Sequence, residues 1–273
     1  MGIIKTAVVV GVSALALAGC GGSTKTTTVG SAPPVSVATQ SATASTTPSA
    51  ANVSVSAYVN AESRYDDPEA MRAGLTNTAP KSPAYVYLSH QANVAESALD
   101  AGHPYSAGVV TPQGDSFQIC DAAGVTGAVD TKSCVTFSDF KVNPAGLIVG
   151  FSVNKQDVAP RLTTGSGEAV SNSGAKFTFL TAYKSVQSGG LFVTVKVETG
   201  PQSVSLNASA STYRDPEGKQ RTATQAIAPS EVGANSNTMV TMTFAGSKPG
   251  GQVTLEGSTG ADYSPVRAVI KVG

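Results

Sequence analysis

Ser82–Gly102, SPAYVYLSHQANVAESALDAG, is the stretch that decides the fold class. Ser82 can cap a helix and Pro83 suits its first turn. Tyr87, Leu88, Gln91, Ala92, Ala95, Ala98 and Leu99 then recur at helical spacing until Gly102 supplies a stop. The spacing predicts a helix over Pro83 to Ala101. Upstream, helical signals begin near Ser54, and Asp67-Pro68-Glu69 repeats the capping device for a short helix to about Thr76. Downstream the hydrophobic period changes to two. Val109 to Thr111, Ser116 to Cys120, Cys134 to Lys141 and Leu147 to Val153 read as strands, with turns at Pro112-Gln113-Gly114-Asp115 and Asn143-Pro144-Ala145-Gly146. Helices followed by a run of antiparallel strands are the α+β order.

From Ala175 onward every regular stretch reads as strand: Phe177 to Tyr183, Leu191 to Val197, Ser203 to Tyr213, Gln220 to Ala226, Thr238 to Phe244, Gln252 to Glu256 and Arg267 to Val272. Seven strands with turns such as Asp215-Pro216-Glu217-Gly218 predict an antiparallel sandwich. In Leu191, Val193, Val195 and Val197, and again in Val240, Met242 and Phe244, every second residue is apolar. That alternation predicts sheets with one buried face. Between the halves, Thr163 to Gly174 is rich in Gly, Ser and Thr and reads as a connection, with residues 165–174 as the linker.

Two resemblances bear on these halves. The order of helices then strands, the start Ser82-Pro83-Ala84-Tyr85 and the hairpin from Phe137 to Phe151 resemble nuclear transport factor 2-like domains of exported actinobacterial proteins. That resemblance implies a curved antiparallel sheet wrapped round helices as a cone, over residues 52–164. Residues 175–273, through the strand with Val193 and Val195, the turn Asp215 to Gly218 and the strand Val240 to Phe244, resemble telokin-like, immunoglobulin-like sandwiches. The chain has no Trp and no Cys after Cys134, so the inter-sheet disulfide and Trp of true immunoglobulin domains are missing.

The amino terminus carries a separate signal. Lys5, the mostly apolar run Thr6 to Leu17 and the small residues Ala18-Gly19 have the build of an export signal over residues 1–19. The run is broken too early for a membrane span of about 20 apolar residues. Met1-Gly2-Ile3-Ile4-Lys5-Thr6 also fits a loose myristoylation pattern, but that pattern is short and common. Leu17-Ala18-Gly19-Cys20 resembles the lipobox of bacterial lipoproteins, which implies lipid on Cys20 and stable residence on the extracytoplasmic face of the cell membrane. Residues 20–51, dominated by Ser, Thr, Ala and Pro, read as a disordered tether, about 30 Å in root-mean-square length for a flexible coil. Its Ser, Thr and Pro content permits O-glycosylation.

Removing residues 1–19 takes one of 18 basic residues and none of 18 acidic ones, which leaves a charge balance of −1. Nothing there favours nucleic acid or an anionic surface. With Cys20 assigned to lipid, Cys120 and Cys134 remain as an even pair in an oxidising compartment and predict a disulfide. His90 and His103 are the only histidines and have no metal-ligand spacing to the cysteines, so neither metal nor cofactor is expected.

Catalytic patterns are weak. Ser138 to Lys141, Ser152 to Lys155 and Ser173 to Lys176 match Ser-x-x-Lys, yet in a strand i and i+3 point to opposite faces. Gly165-Ser166-Gly167 lacks the Walker lysine, and Asp66, Asp67 and Glu69 lack calcium-loop spacing. On the long helix His90, Tyr87 and Asp100, with His103 after it, could serve a cone mouth, but only Tyr87 and His90 share a face. The simplest reading of His90 is a surface histidine.

The leading expectation is a non-enzymatic envelope lipoprotein holding a protein partner. A carrier of a small apolar molecule in the cone is the alternative, and an enzyme using that cone comes third. The first two readings differ in what they demand of the structure: an exposed apolar patch on a sandwich face, or an enclosed apolar pocket with few polar groups.

Overall fold

The structure, a computed structural model, describes residues 50–123, 128–129, 134–260 and 262–273. Cys20, residues 1–19 and the tether up to residue 49 lie outside the described residues. The fold is α+β followed by an all-β sandwich of immunoglobulin-like layout.

Helix α1 (Ala50–Glu62) begins two residues inside the expected tether. Helix α2 (Pro68–Ala73) is capped by Asp67, whose side chain accepts from the Ala70 N–H at 3.0 Å. The predicted continuation to Thr76 tightens into a 3₁₀ turn, Gly74–Asn77. Helix α3 (Pro83–Asp100) starts at Ser82, whose Oγ accepts from the Tyr85 N–H at 3.2 Å, and ends before Gly102 at φ 77°.

The first sheet contains β1 (Gly108–Gln113), β2 (Ser116–Ala123), β3 (Ala128–Val129), β4 (Val135–Val142), β5 (Ile148–Val153) and β6 (Gln156–Asp157). Its antiparallel order is β1-β2-β4-β5-β6, with β3 on β2. The expected hairpin is β4–β5, and its turn is held by Asn143 Oδ1, which accepts from the Ala145 and Leu147 N–H groups at 3.0 Å each. One face of this sheet packs on the helices. Phe137, Ile148, Phe151 and Val153 meet Tyr58, Met71, Tyr87 and Leu88 in one buried cluster. Phe151 sits at its centre, with ring centroids 5.5 Å from Tyr58 and 5.2 Å from Tyr87.

The remaining strands are β7 (Leu162–Thr164), β8 (Ala169–Asn172), β9 (Ala175–Lys184), β10 (Leu191–Thr199), β11 (Val204–Leu206), β12 (Thr212–Arg214) and β13 (Gln220–Thr222). After them come β14 (Gln225–Ile227), β15 (Glu231–Val232), β16 (Asn237–Phe244), β17 (Gln252–Thr259) and β18 (Ser264–Lys271). The second sheet runs β14-β16-β10-β9-β7 with β8 on β9, and the third runs β13-β12-β17-β11-β15 with β18 on β17. Between them lies a second core, in which Val193, Val195, Val240, Met242 and Phe244 of the alternating strands meet Tyr213, Val253, Leu255 and Ile270.

Three expectations need correction. Ser203 to Tyr213 is not one strand: a 3₁₀ turn at Ala208–Ala210 separates β11 from β12. Gln220 to Ala226 also divides, and the chain crosses from the third sheet in β13 to the second in β14. The stretch read as a linker is drawn into the second sheet, because β8 falls within it and Gly165 N–H donates to Leu180 O at 2.7 Å. Gly165 is there for close approach, since a Cβ on it would stand 2.0 Å from Phe179 O.

The second sheet is also buried on part of its outer face, where α3 crosses it, while Lys176 on that face stays exposed. Its inner face joins the sandwich core, while its outer face carries Thr181, Thr194 and Thr241 beneath α3. Threonine suits such a surface, because it is β-branched for the strand and its hydroxyl can bond to the helix above.

Candidate functional site

Helix α3 is the common wall of both layers. Toward the first sheet it turns Tyr87, Leu88, Ala92 and Ala95. Toward the second it turns polar groups that find partners: His90 Nδ1 lies 2.9 Å from Thr181 Oγ1, and Ser97 Oγ lies 2.7 Å from Thr241 Oγ1. Asp100 Oδ2 accepts from Thr238 Oγ1 at 2.8 Å and from Met239 N–H at 3.0 Å. Each bond offsets the cost of taking a polar group from water.

Where the layers diverge beside α3 they leave a cavity of about 660 Å³. Tyr87, His90, Gln91 and Val94 of α3 form one side. Val135 and Val153 of the first sheet form another, and Tyr183, Val186 and Phe192 around the β9–β10 turn form the third. Tyr65, Tyr105 and Asp121 also border the space. The Tyr87 and Tyr183 rings meet edge to face with centroids 5.1 Å apart, and Tyr183 lies 5.9 Å from the His90 ring.

Burial sets the protonation of these groups. It pushes the His90 imidazole down to about 3, so the ring is neutral. Tyr65, Tyr87 and Tyr183 are raised, chiefly by burial. Behind Tyr65, whose hydroxyl donates to Glu62 Oε1 at 3.4 Å, the fully buried Glu62 carboxyl is raised well above its ordinary value by desolvation. Its Oε2 has no partner among the described residues.

Tyr87 and His90 thus share a face, as their spacing implies, and both border the cavity. His90 is not a surface histidine: it is 1% exposed. Asp100 faces β16 instead, and exposed His103 lies past the helix end, so these two do not join His90. Cys120 and Cys134 form the predicted disulfide, with S–S 2.03 Å. Its sequence separation of 14 corresponds to about 3 kcal/mol in the chain-entropy model. Lys141 pairs with Asp157 and Lys176 with Glu198, so these lysines of the Ser-x-x-Lys matches are engaged in ion pairs. Among the described residues no group of His, Cys, Asp and Glu is arranged to hold a metal ion, and no helix is long and apolar enough to cross a membrane.

Sequence reasoning missed Tyr183 as a wall. Phe177 and Phe179 point into the sandwich, and a strict period of two would send Tyr183 the same way. The register instead shifts between Thr194 and Val195, where Thr194 faces Thr181 and Val195 faces Phe179. The extra residue, Leu180, is a β-bulge that reverses the alternation and turns Tyr183 to α3.

No protein-family model matches the chain, and no curated protein sequence matches it.

Proposed function

We propose that this protein is a lipid-anchored, extracytoplasmic envelope lipoprotein whose folded part binds a small molecule without chemically converting it. The anchor rests on the likeness of Leu17-Ala18-Gly19-Cys20 to a lipobox after a signal-like segment. The likeness of the first half to nuclear transport factor 2-like cones and of the second to immunoglobulin-like domains of lipoproteins fits the same setting. Neither half needs a cofactor in this reading, and nucleic acid is no partner for a chain of balanced charge.

The observation that carries the binding role is the aromatic-walled cavity of about 660 Å³ beside α3, a size typical of small-molecule sites. The cavity is partly open to solvent and is bordered also by Ser106, Asp121, Ser185 and Gln187, so it is not the enclosed apolar pocket expected of a carrier of an apolar molecule. Its concave aromatic wall still favours a small ligand over a protein-docking face. The large apolar side chains exposed among the described residues are Leu99, Tyr105, Tyr263 and Val269, two near the end of α3 and two in the last hairpin. They make no continuous apolar face on the sandwich.

The test has two arms. Cys20→Ala should leave an unlipidated precursor that no longer partitions into detergent; a variant processed and partitioned like the wild type would refute the anchor. Native mass spectrometry of protein from its own membrane should show a non-covalent small molecule, and Val94→Trp, which fills the cavity, should release it. Protein devoid of any adduct, or an adduct unaffected by the tryptophan, would refute the binding role.

A further inference from the structure

The hydrogen bonds beneath α3 bear on which lone pair the cavity presents. Thr194 Oγ1 donates to the Thr181 carbonyl at 3.2 Å, which uses its one hydrogen. Across the 2.7 Å contact between Thr181 Oγ1 and Thr194 Oγ1 either hydroxyl can donate, and donation from Thr181 keeps both contacts. In that arrangement Thr181 Oγ1 meets His90 Nδ1, at 2.9 Å, as an acceptor, and Nδ1 carries the imidazole hydrogen. The opposite direction of donation would leave the Thr194 to carbonyl contact unmade. A neutral ring protonated on Nδ1 has a bare lone pair on Nε2. No protein group among the described residues bonds to Nε2, and the ring borders the cavity.

The rest of the wall narrows the ligand further. The residues bordering the cavity include no Lys or Arg to pair with an anion, while Asp121 adds a carboxylate beside the polar Ser106, Ser185 and Gln187. Tyr87, Tyr183, Val94 and Phe192 offer ring edges and apolar surface to a flat body.

We propose that the cavity selects a ring-bearing molecule that is not an anion and carries a hydroxyl or amide N–H, which His90 Nε2 accepts while Thr181 holds the imidazole in the required tautomer. This rests on the small-molecule reading above and adds the chemistry of the ligand. His90 is the contacting residue; Thr181 is a positioning residue. A site with a built-in acceptor rejects the analogue that lacks the donor, because the acceptor is then desolvated and unpaired.

Three probes of one size separate the terms: 2-naphthol, 2-methoxynaphthalene and 2-naphthoate, titrated into the full mature protein in detergent and followed by probe fluorescence. The expected order is 2-naphthol tightest, by about tenfold over the methoxy ether, with the anion weaker than 2-naphthol. His90→Phe should keep ether binding and abolish the tenfold preference. Thr181→Val should shrink the preference, while Val94→Trp removes all binding.

A second measurement needs no variant. With only two histidines in the chain, a long-range proton–nitrogen spectrum should show one ring, His90, protonated on Nδ1. Ether binding equal to or tighter than naphthol, with both lost in Val94→Trp, would overturn the chemistry while leaving the cavity as a binding site. An Nε2-protonated His90 would overturn it as well. Failure of all three probes to bind, or binding unaffected by Val94→Trp, would refute the small-molecule reading and this proposal with it.

Discussion

His90 should make the folded protein sensitive to mild acid, and the size of the effect follows from its position. Burial lowers the imidazole to about 3, against about 6.5 in an unfolded chain. Between those values the unfolded chain binds a proton that the folded protein refuses. The stabilising contribution is therefore full above about pH 6.5 and is lost on acidification, at about 1.4 kcal/mol per pH unit, until pH approaches 3. From pH 7 to pH 5 the loss is about 2 kcal/mol. In His90→Asn the titrating group is gone, while an amide can still bond to Thr181. Urea unfolding of both proteins at pH 7 and pH 5 isolates the effect, because every other titration, Glu62 included, is common to the pair. The free-energy gap between wild type and variant should move by about 2 kcal/mol, against the wild type at the lower pH. A gap that stays constant within about 0.5 kcal/mol, the ordinary scatter of surface substitutions, would mean that His90 is open to water and that its bond to Thr181 is not the dominant state.

Glu62 has the opposite sign. Its carboxyl is raised by burial, so its contribution to stability is present below the unfolded value of about 4.5 and is lost as pH rises toward the folded value. Glu62→Gln, which keeps the shape without the charge, should gain stability relative to wild type between pH 5 and pH 8 in the same assay; a pH-independent difference would refute the buried carboxyl. Limited proteolysis should trim the chain before about residue 46 and leave residues 46–273 uncut at 165–174, since β7, β8 and Gly165 are bonded to β9 within one compact unit. Early cleavage in 165–174 would refute that.

Much of the secondary structure was legible because its signals are local. Asp67 and Ser82 cap α2 and α3 through their own side chains, and Asn143 closes the β4–β5 turn within four residues of itself. The paired cysteines needed only their number, once Cys20 was set aside. Strands in the sandwich were found where alternation was unbroken, as in Leu191–Thr199 and Asn237–Phe244. Ser203 to Tyr213 misled because its period-two signal continues through residues that the tertiary packing bends into a 3₁₀ turn.

The candidate site was half visible. Helical geometry alone puts Tyr87 and His90, three residues apart, on one face. Their environment is a different matter: a polar residue on an amphipathic helix reads as solvent-facing, and likewise a threonine between two apolar strand residues. Here the two polar surfaces face each other. His90 on Thr181 and Ser97 on Thr241 bury one another across the α3–second sheet contact, and exposed Asp100 accepts from buried Thr238 and from Met239 N–H at its edge, at separations in sequence of 91 residues or more.

By itself, then, the sequence determined the helices, the principal strands, the α+β order and the disulfide, because each depends on torsional preference, capping or period within a short span. The tertiary structure alone decided that α3 is covered on two sides, that Leu180 bulges and turns Tyr183 toward His90, and that a cavity opens beside them. The reason is that hydrophobic patterning records which residues leave water but carries no term for polar groups that leave it together, and a one-residue bulge reverses every side chain beyond it without altering composition.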